Sequence, residues 1–212
     1  MNKTEYSSIY KILYNEGCFN INFFKKRDDF NSKYIWFNEM DWMSINEINN
    51  YNYDDGENKN VIPFAKSSNG DLWGWLKDEN ENNECSVVYC PMDENEGILY
   101  APSFIGSVFR QIFEFASQNN FCDGSDCKEW EMDICIAKNH IKKWIDVFGG
   151  FMPISWRFEI ENLLNKSLFL YQESTYSKYL VLIPPDEAEA IVKKHLNYPL
   201  IDNEFVWICD DN

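Results

Sequence analysis

The alternation of apolar and polar positions divides the chain at about residue 102. Before that point the apolar runs are short and bounded by turn residues. Tyr34-Ile35-Trp36-Phe37 reads as a buried strand, and Val61 to Ala65, Asp71 to Lys77, Ser86 to Cys90 and Gly97 to Ala101 read as four more. Asn69-Gly70 marks a hairpin between the second and third of these, and short polar turns between successive strands predict an antiparallel meander. Ser44-Ile45-Asn46-Glu47 has the capping-box spacing, which predicts a helix start with Ile45 and Ile48 facing inward. Segment 49–60 is a polar loop. Residues 1–33 are less patterned. Ile9, Ile12 and Leu13 have helical spacing ended by Gly17, and Phe19 to Phe24 reads as a strand.

After residue 102 the period changes. Ser103 caps a predicted helix whose Phe104, Ile105, Val108, Phe109, Ile112, Phe113 and Ala116 form one wide apolar stripe, suited to lie across a sheet face. Segment 118–125 ends it, with Gly124 at a turn. Asn139 to Phe148 predicts a helix stopped by Gly149-Gly150, and Ser155 to Asn165 predicts another. Leu168 to Tyr171 and Tyr179 to Ile183 read as strands. Pro185, followed by Asp186 and Glu187, opens a helix that runs to about His195, and Phe205 to Ile208 reads as a last strand. The order predicts an α+β protein: a central, mostly antiparallel sheet flanked by helices, with a C-terminal α/β extension. The expected division is a core over 1–120 and a helix-rich extension over 121–212 packed on it.

Composition narrows the function classes. Hydrophobic residues are 45% of the 212 and aromatics 17%, enough apolar material for a core. With 35 acidic against 19 basic residues the formal net charge is −16. Such a surface repels nucleic-acid phosphates and anionic membranes and attracts basic proteins. No stretch is apolar enough to span a membrane, and the N-terminus has no signal-peptide pattern. The expectation is a cytoplasmic protein whose seven cysteines stay reduced.

Candidate chemistry is thin. His140 and His195 sit where helix-terminal capping accounts for them. Cys85 and Cys90 flank a strand at an odd separation, which puts them on opposite faces. Cys122 and Cys127 lie in a Gly-containing loop and are the freer pair to ligate zinc, although small buried residues are the better reading for most of the cysteines. No phosphate-binding loop, nucleophile elbow or His-Glu-x-x-His motif is present. The expectation is therefore no enzyme, no cofactor and no metal.

What remains is Asp71-Leu72-Trp73-Gly74-Trp75. On a strand, Asp71, Trp73 and Trp75 share one face, and Leu72, Gly74 and Leu76 the other. If the Leu face packs inward, two indoles and a carboxylate point out, the composition of a protein-binding surface or a sugar platform. The competing reading buries at least one indole under a helix.

The order of several short motifs carries a resemblance. Trp42-Met43-Ser44-Ile45-Asn46-Glu47-Ile48 is followed by Val61-Ile62-Pro63-Phe64-Ala65, Asn69-Gly70-Asp71-Leu72-Trp73, Val87-Val88-Tyr89 and Ala101-Pro102-Ser103-Phe104. Over about residues 34–117 this resembles the SUKH superfamily, and within it the group named after yeast regulators of cell-wall glucan synthesis. Residues 1–33 lack the early Leu-Pro and Gly-Gly features of many members, and 118–212 lie beyond the usual core. The resemblance implies an α+β fold and a non-enzymatic immunity protein that neutralises a cognate toxin, for which a basic nuclease is a suitable target. It implies that Trp73 belongs to the scaffold, leaving Trp75 and the acidic loops for the partner. The expected partner-binding residues are Trp75, Asp78, Glu79, Glu81, Glu84, Asp93, Glu94 and Glu96. The alternative function is a scaffold or regulator of cell-wall synthesis or signalling complexes.

Overall fold

The computed structural model describes residues 7–19, 28–38, 40–77, 85–118, 120–124 and 127–209. In chain order the elements are α1 (Ser8–Asn15), β1 (Asp41–Trp42), α2 (Ile45–Asn49), β2 (Val61–Lys66), β3 (Leu72–Leu76), β4 (Ser86–Cys90), β5 (Glu96–Ala101) and α3 (Phe104–Gln118). Then follow β6 (Phe121–Cys122), β7 (Met132–Asp133), α4 (Ile134–Phe148), α5 (Ile154–Asn165), β8 (Phe169–Gln172), β9 (Lys178–Val181), α6 (Pro185–Leu196) and β10 (Glu204–Val206). The protein is α+β with a central antiparallel sheet. It divides into two compact units. Unit 1 comprises Met1–Arg27, Asn31–Ser107 and Tyr198–Asn212; unit 2 comprises Asp28–Phe30 and Val108–Asn197. The boundary therefore falls within α3, not at residue 120, and the last residues of the chain belong with the first unit.

Unit 1 is built on a six-stranded sheet of order β1-β2-β3-β4-β5-β10. The β2–β3 hairpin closes through Ser67 and Asp71, with Gly70 at φ +100° in the turn. Ser67 Oγ accepts from the Asn69 and Asp71 N–H groups and donates to Asp71 Oδ2 (3.0 Å), and Asp71 Oδ1 accepts from the Met92 N–H (3.0 Å). One carboxylate thus ties two neighbouring hairpins together. Burial acts to raise its pKa, but the Met92 N–H and the Ser67 and Tyr89 hydroxyls outweigh that and hold it below the usual aspartate range.

One face of this sheet carries an aromatic core. Tyr10 lies at its centre, with ring centroids 4.7 Å from Phe19, 5.2 Å from Trp75 and 5.5 Å from Phe104. Its hydroxyl donates to the Met43 carbonyl (2.7 Å) and reaches the Phe64 carbonyl (3.2 Å), so the buried phenol is satisfied. The opposite face holds Val61, Leu72, Val88 and Cys90 beneath Trp207, with Tyr51, Leu99, Phe205 and Ile208 around them. Both faces are thus covered, the second by the C-terminal segment.

Several local expectations hold. Ser44 and Glu47 exchange both capping-box bonds, and Ser103 Oγ accepts from the Gly106 N–H. Others change. Tyr34, Ile35 and Phe37 are buried as expected but form no strand beyond a Phe37–Met40 bridge; Trp42, two residues beyond that bridge, lies in β1 and donates Nε1–H to the Ile35 carbonyl. In α1 the inward residues are Tyr10 and Leu13, while Ile12 is exposed. Residues 20–24 of the expected first strand lie outside the described residues.

Unit 2 holds a short parallel pair, β6–β7, the β8–β9 hairpin and helices α4, α5 and α6. α4 begins at Ile134, five residues before the expected start, because Asp133 accepts from the Cys135 and Ile136 N–H groups as N-cap. Phe115, Phe121, Ile141, Trp144, Phe148 and Ile160 are buried in its core. α6 follows the expected pattern, with Pro185 in the first turn and acids after it, and the structure adds a left-handed Asn197 as its C-cap.

Candidate partner-binding surface

The structure redistributes the residues expected to meet a partner. Trp75 is 1% exposed and packs edge-on against Tyr10 and against Phe64 at 4.5 Å. This corrects its assignment as an exposed anchor. Trp73 is buried on the same face, against Tyr89 and Tyr100. The indoles point inward because the aromatic core covers their face of the sheet. Gly74 serves the other face: a Cβ there would meet Val61 Cγ1 at 2.5 Å and the Ile62 carbonyl oxygen at 3.1 Å. The Trp-Gly-Trp pattern is a packing device for a strand covered on both sides.

Asp78, Glu79, Glu81 and Glu84 lie outside the described residues. Asp93, Glu94 and Glu96 are exposed at the turn between β4 and β5. The structure adds neighbours to them. β10 pairs antiparallel with β5, with Val206 opposite Glu96, and the Trp207 and Ile208 N–H groups donate to the Asn95 carbonyl. On its other side the same segment meets loop 54–58. Asn58 N–H donates to the Trp207 carbonyl (2.8 Å), Asn58 Nδ2 to the Val206 carbonyl (3.0 Å) and Cys209 N–H to the Gly56 carbonyl (2.8 Å). The C-terminal segment therefore stitches the β4–β5 turn to the 54–58 loop. Exposed Asp54 and Asp55 and half-buried Glu57 thus lie on a loop tied through the C-terminal segment to the turn that carries Asp93, Glu94 and Glu96, with exposed Glu204 on β10 itself.

Glu57 is the most constrained member. Its carboxylate accepts from the Asp54 N–H (2.9 Å) and the Tyr51 hydroxyl (3.3 Å). Burial nonetheless pushes its pKa above the usual glutamate value, with the Asp54 charge adding to the rise. Burial first, and then the same carboxylate, hold the Tyr51 phenol well above its ordinary pKa. The acids Asp54, Asp55, Glu57 and Glu204 were not among the expected partner residues. No local spacing marks them, since the strand that gathers them comes from the far end of the chain.

The remaining chemical candidates have structural explanations. His140 lies buried in the middle of α4, not at its end, with Nε2 3.3 Å from Asp28 Oδ1 and its ring against Phe30 and Trp144. His195, in the last turn of α6, sits 3.1 Å from Glu159 Oε1; that hydrogen bond and Lys194 hold the Glu159 carboxyl below its usual range. Cys122 and Cys127 form a disulfide, which corrects both the expectation that every cysteine stays reduced and the zinc reading of this pair. The turn at Gly124 brings their Cα atoms to 5.5 Å, within the span that a disulfide bridges. Among the described residues no cluster of three or more His, Cys, Asp or Glu side chains is placed to hold a metal ion. The exposed tryptophan among the described residues is Trp130, with Lys128 Nζ 5.4 Å from its ring centroid.

Comparison with protein-family models, with curated proteins and with solved structures returns no match. No helix among the described residues is long and apolar enough to cross a membrane.

Proposed function

We propose that this chain is a non-enzymatic binding protein of the SUKH type that works in the cytoplasm as an immunity protein, capturing a basic toxin. The observation that carries this reading is the convergence of the β4–β5 turn, the 54–58 loop and β10 into one acidic end of the unit 1 sheet. A dense set of carboxylates on a rigid sheet end raises the encounter rate with a cationic surface. A basic nuclease fits this chemistry, because its own active surface is built to hold a polyanion.

Two experiments test the reading. Affinity capture with the tagged protein from lysate of the source cell, at low and moderate salt, is expected to retain one basic protein with a toxin-like domain in near-equal amount. Retention of a scatter of wall enzymes or kinases in small amounts would replace immunity with the scaffold reading. With the partner in hand, the triple variant Asp93→Lys, Glu94→Lys, Glu96→Lys should slow association at low salt by about tenfold or more, and the difference should shrink as salt is added. Unchanged association rates at low salt would falsify the electrostatic part of the proposal.

A further inference from the structure

β8 is an unprotected sheet edge. Among the described residues its hydrogen-bonded neighbour is β9, with Phe169 opposite Val181 and Leu170 opposite Leu180. Successive strand residues point to opposite faces, and on β8 both Phe169 (48% exposed) and Leu170 (58%) are open to solvent, although Val181 opposite Phe169 is buried. Tyr176, in the connection between β8 and β9, is 98% exposed. Natural edge strands are usually short, charged, interrupted by proline, or covered. The two edges of the six-stranded sheet obey that rule. β1 is two residues long and carries Asp41; β10 is three residues long, carries Glu204 and is further covered by Asn58. β8, Phe-Leu-Tyr-Gln, has no charge and no proline.

We infer that β8 is a self-association edge, on which β8 of a second copy adds antiparallel to make a four-stranded sheet β9-β8-β8-β9. A two-fold axis perpendicular to the sheet at Leu170 sets Leu170 against Leu170 of the second copy and Phe169 against Tyr171. These apolar pairs form on both faces. The charges flanking the strand fit the same arrangement. Lys166, whose Nζ also meets Glu187 Oε1 at 2.5 Å, precedes β8, and Glu173 follows it. Antiparallel pairing therefore lays the basic end of each copy beside the acidic end of the other. A strand of four residues provides less than the roughly 1,200 Å² of a standard stable interface, so the dimer is weak and concentration-dependent. Two copies of net charge −16 also repel, so added salt strengthens the dimer. That salt dependence is opposite in sign to the one expected for capture of a basic partner, so this inference and the proposed function fail separately.

The test is sedimentation velocity on the full chain from about 10 to 500 µM, at about 20 mM and 500 mM salt, a range that spans strong and weak screening. It is paired with hydrogen exchange of the β8 amides at the two ends of the concentration range. The expected result is a dimer fraction that rises with concentration and with salt, slower exchange over 169–172 in the dimer, and at least a tenfold weaker dimer for Leu170→Lys. Should Leu170→Lys fail to fold by circular dichroism, Phe169→Lys replaces it, because that side chain leaves from the other face. A monomer throughout, or a dimer that the lysine variant leaves intact, overturns the inference. So does protection of β8 that appears only on adding a basic partner, since the edge would then belong to that partner.

Discussion

Gly74 and Asp71 show how much of unit 1 rests on single positions. A methyl group at Gly74 would overlap Val61 and crowd the Ile62 backbone, so Gly74→Ala should cost about 1–3 kcal/mol by overpacking, read as a lower urea midpoint. A variant as stable as the parent would mean that β2 shifts freely, against the close packing described. Asp71 gives a pH-dependent prediction. Its folded pKa lies below the unfolded value, so its contribution is present above the unfolded pKa and disappears as pH falls through the folded one. Asp71→Asn should therefore lose about 1 kcal/mol at pH 7, and the gap to the parent should narrow as pH falls from the usual aspartate range down through the lower folded pKa. A gap that stays the same down to the acid end of the native range would assign the effect to packing. Asp71 was readable as a strand-face carboxylate, but its role as a staple was not, because its partner Met92 belongs to the next hairpin.

Among the elements, those with a local cause were legible. The capping box at Ser44, the cap at Ser103 and the proline start of α6 each depend on contacts within a few residues, so spacing alone predicted them. The Tyr34 to Phe37 run is largely buried without being a strand, because an apolar run signals burial and not strand conformation. An apolar run can be buried as irregular chain when other groups accept and donate its hydrogen bonds, as Cys18 and Trp42 do for Ile35. The β6–β7 region carries its own prediction. The Cys122–Cys127 disulfide closes a short loop whose base is also held by parallel pairing of Phe121 with Met132. Reduction should therefore cost about 2 kcal/mol, from chain entropy, and leave the fold intact. Thermal unfolding with and without reductant, followed by near-ultraviolet circular dichroism, checks this; collapse of the signal on reduction would show that the bridge, not the pairing, holds the loop.

For the whole molecule the decisive feature is the return of the chain terminus. Residues 198–212 belong to unit 1, where Trp207 covers the second face of the sheet and β10 extends it. Trp207→Ala should cost about 3–5 kcal/mol, since it removes the largest side chain of that layer. It should also speed hydrogen exchange at Asn58 and Cys209, whose amides bond across this segment. Because the same segment gathers the acidic end, the variant should weaken capture of a basic partner even under conditions where it remains folded. Undiminished capture by a folded Trp207→Ala protein would place the binding surface elsewhere.

Periodicity and turn chemistry in the amino-acid chain fixed the α+β class, the β2 to β5 meander and most helix boundaries, because those depend on neighbours within a few positions. Composition fixed the acidic character. Which way Trp73 and Trp75 point was not available from the chain. Alternation defines two faces of a strand but not what covers each, and here a core packs on both. The acidic end of the sheet was equally hidden, for it joins residues 54–57, 93–96 and 204 through a pairing between the middle and the end of the chain. Long-range pairing of this kind is set by the summed burial of both faces, a property of the folded protein that no short stretch of sequence contains.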